Sequence, residues 1–334
     1  MEIKKYEPTL TPPSELIELL QKKYGERKNF ECFLSDYQKA FHYCSDNENI
    51  IFVPLALFEA QKMRAHCALI IDRRLPQGEC FFGFFDVPDD PPMFRFLWNS
   101  VVEEARARGI SVLHGPINGS IWHQYRCIKE TDGSEFFKFE LFGELYYYQF
   151  FVLAKPFSEH RYYSGYRTQF DALLPLLQPA YHALEARGFF IKKIKKITPA
   201  LLQTLFSLSI KVFQQNWGFT AINQKEFLFL YSSEKLESHL DTIYVLYKAS
   251  EIIGFCTVFK ESESTWICKT IGILPEYQGL GLGNALAFKL HSDAKEQGIE
   301  KIMYALIRED NKIKNFPNDD VIIFRRYAAF EFHI

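Results

Sequence analysis

Two stretches of this chain share one pattern with few identities, and that most constrains what it can fold into. Residues 82–110 and 271–299 lie on each other without a gap at an offset of 189. Gly83 falls on Gly272, and Ala105-x-x-x-Gly109-Ile110 falls on Ala294-x-x-x-Gly298-Ile299. Strand pattern meets strand pattern, and helix pattern meets helix pattern. Self-similarity at a fixed offset means copies of one structural unit. At 334 residues the chain exceeds one ordinary core and suits two domains of about 150 residues each. The expected division is 1–190 and 191–334.

Hydrophobic periodicity fills in both copies. In the first, 13–45 reads as helical, 50–59, 66–73 and 79–87 as strands, and 94–108 as a helix stopped by Gly109. A short strand at 110–113 and aromatic-rich strands at 136–153 and 160–167 follow, then an amphipathic helix at 170–187. In the second copy, strand 189–197 precedes helices 199–212 and 225–232. Strands 242–248, 252–260 and 265–274 follow, then helix 283–297 and strands 302–307 and 321–332. The fold class is α/β (α+β), each domain a mixed, mostly antiparallel sheet flanked by helices.

Composition excludes several functions. A hydrophobic fraction of 48% and a charged fraction of 24% belong to a folded chain. Net charge is −2, so no basic surface for nucleic acid is expected. Seven cysteines without a C-x-x-C pair point to reduced thiols and a cytoplasmic setting. Nine histidines without H-E-x-x-H or H-x-x-x-H give no metal site. The charged start lacks the apolar core of a signal peptide, and no run reaches the roughly 18–20 apolar residues that span a bilayer.

The chemistry gathers at one loop. A strand pattern runs into Pro275-Glu276-Tyr277, then Gln278-Gly279-Leu280-Gly281-Leu282-Gly283, then a helix. Three glycines at alternate positions permit tight turns and leave no Cβ in the way of a phosphate. The helix start adds unsatisfied N–H donors and the positive end of its dipole. A dinucleotide fold would need a second mononucleotide-binding half, and about fifty residues remain. A P-loop would need Gly-Lys-Ser/Thr, and Gly283-Asn284-Ala285 is not that. The bland alternative is a tight turn whose glycines serve packing alone.

The Gln-x-x-Gly-x-Gly pattern after a strand ending Ile-Gly-Ile-Leu-Pro resembles the GNAT superfamily of N-acetyltransferases, over roughly 190–334. That resemblance implies an acyl-CoA co-substrate, acetyl-CoA or another, with its diphosphate on the loop and its pantetheine arm in a gap between splayed strands four and five. It assigns Ile271, Ile273 and Leu274 to the arm's strand edge. Gln278, Gly279, Leu280, Gly281, Leu282, Gly283 and Asn284 surround the diphosphate, and Asn311 meets the arm's far side. Asn216-Trp217-Gly218-Phe219, 115–120, Tyr125-Arg126 and Tyr162-Tyr163-Ser164 resemble a tandem branch of the superfamily and are candidates for an acceptor pocket; packing and turn chemistry explain each one equally well.

Opposite Gln278-Gly279-Leu280-Gly281 the first copy has Asp89-Asp90-Pro91-Pro92. Prolines remove N–H donors and aspartates repel a diphosphate, so the first domain is expected to have lost the cofactor site. Amine acylation needs a neutral amine and benefits from a base. In the family a carboxylate on strand four or five often serves as base; 265–270 carries none, so Glu309 and Asp310 at the end of strand five are the nearest substitutes, with Glu309 the candidate base and a solvated loop charge the alternative. Tyr327, in a Tyr-x-x-x-Gly-Phe-like segment with Glu in place of Gly, is the candidate acid if 321–332 is helical; if it is a strand, Tyr327 is structural. Cys268 is a weaker nucleophile candidate. The expected function is N-acyl transfer to the primary amine of a small molecule or protein, without metal, nucleic acid or membrane. A non-catalytic acyl-CoA-binding protein is the alternative. Aminoacyl transfer from tRNA is a third reading, which the pI near 6.5 disfavours.

Overall fold

The structure, a computed structural model, describes residues 1–231, 239–310 and 320–334. It divides into two compact units. The first holds Met1–Arg161, Gly218–Thr220 and Arg326–Ile334; the second holds Tyr162–Trp217 and Ala221–Arg325. Residue 190, the boundary expected from sequence, lies within the second unit.

The first unit runs β1 (Glu2–Lys5), α1 (Ser14–Tyr24), α2 (Phe30–Asp46), β2 (Ile50–Glu59), β3 (Lys62–Asp72), β4 (Glu79–Asp86), α3 (Pro91–Ala107), β5 (Val112–Gly115), β6 (Cys127–Thr131) and α4 (Tyr146–Leu153). Strands β1 to β4 pair antiparallel in order, and β5 joins β4 in parallel. Parallel neighbours cannot be joined by a hairpin, so α3 makes the crossover. Its core packs Phe82, Leu97, Val101 and Leu113 with the rings of Trp98, Phe151 and Phe332.

Helix α4 corrects the expectation of strands over 136–153. Tyr147, Phe150 and Phe151 are spaced for one helical face and are buried. Phe150 stacks on Phe94 of α3 at 4.8 Å between ring centres. A run this rich in aromatic residues shows no clear period, so its sequence does not separate helix from strand.

The second unit follows the same plan with β7 (Ser158–Arg167, from Tyr162 onward), α5 (Leu174–Ala186), β8 (Phe189–Ile194), α6 (Pro199–Phe213), α7 (Gln224–Tyr231), β9 (Leu240–Lys248), β10 (Glu251–Ser262), β11 (Thr265–Ile273), a 3-10 turn (Pro275–Tyr277), α8 (Leu282–Glu296) and β12 (Lys301–Arg308); the last strand, β13 (Ile322–His333), belongs to the second unit up to Arg325 and to the first from Arg326. Strands β8 to β11 pair antiparallel, and β11 runs parallel to β12. At the offset of 189, β2 falls on β9, β3 on β10, α3 on α8 and β5 on β12. The repeat therefore extends well beyond the stretch visible in sequence. Strand β11 is the exception. Val112 pairs with Glu79, but Lys301 pairs with Thr265 rather than with Cys268, as the offset would require. The loop before β4 is longer than the turn before β11, which slips the strand by three residues.

Both crossover helices end alike. Gly109 and Gly298 adopt φ of 75° and 71°. Ile110 N–H donates to Ala105 O at 3.0 Å, and Ile299 N–H to Ala294 O at 2.9 Å. This paired closure, with glycine in the left-handed position, is the Schellman motif. It accounts for the Ala-x-x-x-Gly-Ile segment that the two copies share.

The strands of each unit are completed by chain from the other half of the sequence. Ile302–Tyr304 and Ile307–Arg308 of β12 pair antiparallel with Tyr162–Arg167 of β7. In the first unit β5 pairs antiparallel with Phe330–His333 of β13.

Candidate functional site

The β11–β12 ladder runs from Thr265–Lys301 to Cys268–Tyr304 and stops there. Strand β11 continues to Ile273 and β12 to Arg308. The splay has a local cause. Between Tyr304 and Ile307 the pairing of β12 with β7 slips by a bulge, with Leu306 at φ 58° and its N–H held by Ser164 Oγ at 3.0 Å. A bulge bends the strand that carries it, and the edge of β11 beyond Cys268 is left out of the parallel ladder.

Strand β11 leads from this edge into the glycine loop. Leu274 is buried, and its N–H donates to Ile253 O at 2.9 Å. Gln278 Nε2 donates to Ile273 O at 3.1 Å across the 3-10 turn. Gly279 and Gly281 both sit in the left-handed region, at φ 79° and 76°. A Cβ at Gly279 would meet nothing within 4 Å, and one at Gly281 would meet only Ala180 Cβ, at 3.9 Å. The loop is therefore open, and its left-handed glycines serve conformation rather than close packing. Gly281 is the N-cap of α8 and provides no side-chain cap. The first N–H groups of α8 are thus left for an outside acceptor, where the helix dipole favours an anion. Leu282, Ala285, Leu286 and Leu290 bury one face of α8 and fix its direction.

One cation attends the loop, and sequence reading missed it. Arg187, at the C-cap of α5, donates from Nη1 to Leu280 O at 2.9 Å. An arginine before Gly188 carries no sign of this role, because it depends on α5 packing beside α8. Leu177 of α5 and Ala287 of α8 share one small buried cluster.

The same places in the first unit are filled by its own chain. Ile117 N–H donates to Phe82 O at 2.8 Å, and Phe84 N–H donates to Asn118 Oδ1 at 2.6 Å. A Cβ on Gly83 would lie 1.8 Å from Ile117 O. The edge of β4 beyond its parallel ladder is therefore closed. At the N-terminus of α3, Asp90 caps Met93 N–H at 2.9 Å, and Pro91 and Pro92 offer no N–H.

The remaining candidates scatter. Ile271 and Leu280 are exposed on the edge and loop, whereas Leu274 and Leu282 are buried, so only their backbone is available. Gly283 and Asn284 lie in the first turn of α8. Asn311 lies outside the described residues. Glu309 follows β12 directly, beside Asp310, which is paired with Arg308. Tyr327 is on β13 in the first unit, in a strand and not a helix; it is buried, and its hydroxyl donates to Glu140 Oε1 at 2.6 Å. Cys268 is buried, 3.7 Å from Cys256 Sγ. Tyr304 bonds His291 Nε2 at 2.6 Å in a buried cluster with Arg167; burial, opposed by the bond to Ala287 O, lowers the His291 pKa to about 4. Its imidazole is neutral and part of the core. Among the described residues no group of His, Cys, Asp and Glu is placed to hold a metal, and no helix is long and apolar enough to cross a membrane.

Residues 204–314 match the acetyltransferase (GNAT) family. A tandem GNAT protein from the clavulanic acid biosynthesis pathway shares the fold with a TM-score of 0.59 at 10% identity, over 99% of this chain and 98% of the other. The chain has a tandem GNAT-type fold. A GCN5-related N-acetyltransferase from Sphaerobacter thermophilus aligns with a TM-score of 0.52 at 11% identity, over 98% of this chain and 95% of that one. A conserved Enterococcus faecalis protein described as a probable N-acyltransferase gives 0.59 at 8% identity, over 98% and 71%. At these identities the likeness is one of fold. A comparison with curated protein sequences finds no match. In this GNAT-type fold the splayed edge, glycine loop and uncapped helix coincide in the second unit, within the matched segment. The fold supports N-acyltransferase activity in general terms.

Proposed function

We propose that the protein transfers an acyl group, most simply acetyl, from acyl-CoA to a primary amine by direct attack, and that the second unit alone binds the co-substrate. One observation carries this reading. An open strand edge leads into an uncapped, glycine-lined helix start in the second unit, and both features are blocked by the chain itself in the first. The pantetheine arm would pair along β11 through the backbone of Ile271 and Ile273. The diphosphate would lie on the N–H groups from Gly279 to Asn284, each such charge-assisted bond contributing about 1.5–3 kcal/mol. Arg187 would hold the loop from α5 and add positive field. In the reaction the neutral amine nitrogen attacks the thioester carbonyl, a C–N bond forms, the C–S bond breaks, and the thiolate leaves. The amine's proton passes to a base, for which Glu309 at the end of β12 is the nearest carboxylate in sequence to the splay. The first unit, its wedge filled, serves as scaffold or acceptor wall.

A second reading, a non-catalytic acyl-CoA binder, is favoured by one feature: β11 (Thr265–Ile273) carries no carboxylate. Thiol release from acetyl-CoA against a panel of amines separates the two, with Gly281→Glu as control. Release that depends on an amine and vanishes in the variant supports transfer. Tight binding without release on any acceptor supports the binder, and no binding at all overturns both.

A further inference from the structure

Helix α5 borders the glycine loop, and beside it three aromatic rings meet where α5 packs on α8. Ala180 Cβ lies 3.9 Å from the place a Cβ on Gly281 would take, and Arg187 further along α5 bonds Leu280 O at 2.9 Å. Tyr181 lies against Phe288 of α8, with ring centres 4.8 Å apart and 31° between the planes. His182 meets both rings edge-on, at 6.1 Å and 72° from Tyr181 and at 6.4 Å and 77° from Phe288. Phe288 rests on a buried cluster of Leu173, Leu177 and Ala287. Tyr181 and Phe288 are half-buried and His182 is exposed, so the seam between the helices opens to solvent as aromatic surface.

A single half-exposed ring is ordinary. The position of this group sets it apart. Phe288 follows Gly281, the N-cap of α8, by seven residues, about 10 Å along the helix. At the offset of 189 it falls on Asn99 of α3, an exposed side chain without a ring. The unit whose loop is blocked by its own chain therefore lacks the ring as well. The chemistry of the patch is flat and apolar rather than charged: Lys289, next to Phe288 in sequence, is held by Asp293 at 2.7 Å. A surface of that kind suits an aromatic base better than another phosphate. Acyl-CoA is a linear molecule, with the thiol arm on one side of its diphosphate and adenosine on the other. If the arm lies on the β11 edge and the diphosphate on the first N–H groups of α8, the adenosine leaves the loop away from the splay, where α5 and α8 border it.

We propose that Tyr181 and Phe288 form a stacking platform for the adenine of acyl-CoA, with His182 at its rim. Each ring already has one face on the other, and a base continues the stack through its own π face. The proposal rests on the reading of the second unit as the acyl-CoA site, and adds the part of the donor that neither the strand edge nor the glycine loop touches. It also sets a preference: a donor that ends at 4′-phosphopantetheine, free or carried on a protein, has no base to place there.

The full chain is titrated with CoA, with 4′-phosphopantetheine as a competitor, and with 1,N6-etheno-CoA, whose fluorescent base loses emission when it stacks. The etheno emission should fall on binding. Tyr181→Leu and Phe288→Leu keep an apolar side chain and remove the ring. Each should raise the Kd for CoA about 5–20-fold, abolish the quench and leave the Kd for 4′-phosphopantetheine unchanged, while Tyr181→Trp should hold CoA as well as the native chain does. Tyr181, at the surface of the seam, decides the matter if the Phe288 variant does not fold. Unquenched emission from bound etheno-CoA, or an unchanged CoA Kd in Tyr181→Leu, overturns the platform and leaves the acyl-CoA reading standing. Equal loss of CoA and 4′-phosphopantetheine assigns the rings to packing alone and overturns it too. No binding of CoA by the native chain overturns both.

Discussion

Replacing Gly281 with alanine separates a ligand loop from a packing turn. Gly281 sits at φ 76° as the N-cap of α8, and a residue with a Cβ costs about 1–2 kcal/mol in that conformation. No steric clash adds to this, because the new Cβ would meet only Ala180 Cβ at 3.9 Å. The loop is exposed from Gln278 to Gly281, so without ligand it can relax to a conformation that alanine accepts. The cost then moves from folding to binding, since the N–H groups converge on a phosphate only in the left-handed form. The expected result is a Kd for acyl-CoA raised about 5–30-fold, with kcat at saturation nearly unchanged and little change in thermal midpoint. Gly281→Asn, which tolerates left-handed backbone, should recover most of the loss. Gly283 has ordinary φ and open space to 4.0 Å, so Gly283→Ala should cost less than Gly281→Ala. Calorimetry with CoA and a melting curve on each variant are sufficient. A drop of several degrees in midpoint with an unchanged Kd would refute the reasoning and return the glycines to packing. Equal loss from asparagine and alanine would show that bulk, rather than backbone conformation, is at issue.

Arg187→Ala removes the bond to Leu280 O and should weaken acyl-CoA binding by about 2–10-fold, with partial rescue by lysine; an unchanged Kd assigns the contact to surface chance. Tyr327→Phe takes a donor from the buried Glu140 carboxylate and should destabilise the fold by about 1–3 kcal/mol while sparing kcat, and a large fall in kcat at full stability would restore Tyr327 as the acid. Burial lowers the pKa of both His66 and His291 to about 4, from an unfolded value near 6.5. The unfolded chain binds more protons between those values, so the contribution of these imidazoles is complete above pH 6.5 and is lost as pH falls toward 4. Denaturant midpoints at pH 7 and 5 measure the loss, which should be smaller in His291→Gln.

The features legible in the sequence are those whose physics is local. A glycine is required wherever the backbone turns left-handed, so Gly279, Gly281, Gly109 and Gly298 announce the loop and the helix ends without any neighbour in view. Asp90-Pro91-Pro92 announces a capped, donor-poor helix start for the same reason. The repeat was visible only where those local devices recur, although most of both units obey it.

Long-range pairing decided the rest. A strand presents the same backbone groups to every partner, so nothing in β7 or β13 foretells that each completes a unit led by the other half of the chain. Arg187 reads as an ordinary helix-end arginine until α5 lies beside α8. Ile117 and Asn118 read as loop residues until their groups are found on β4, closing the first wedge. By itself, the sequence determined where backbone could turn and where phosphate could approach, because those depend on Cβ atoms and N–H groups of adjacent residues. Only the tertiary structure decided which strand edges stayed open, because that depends on what distant chain arrives to cover them.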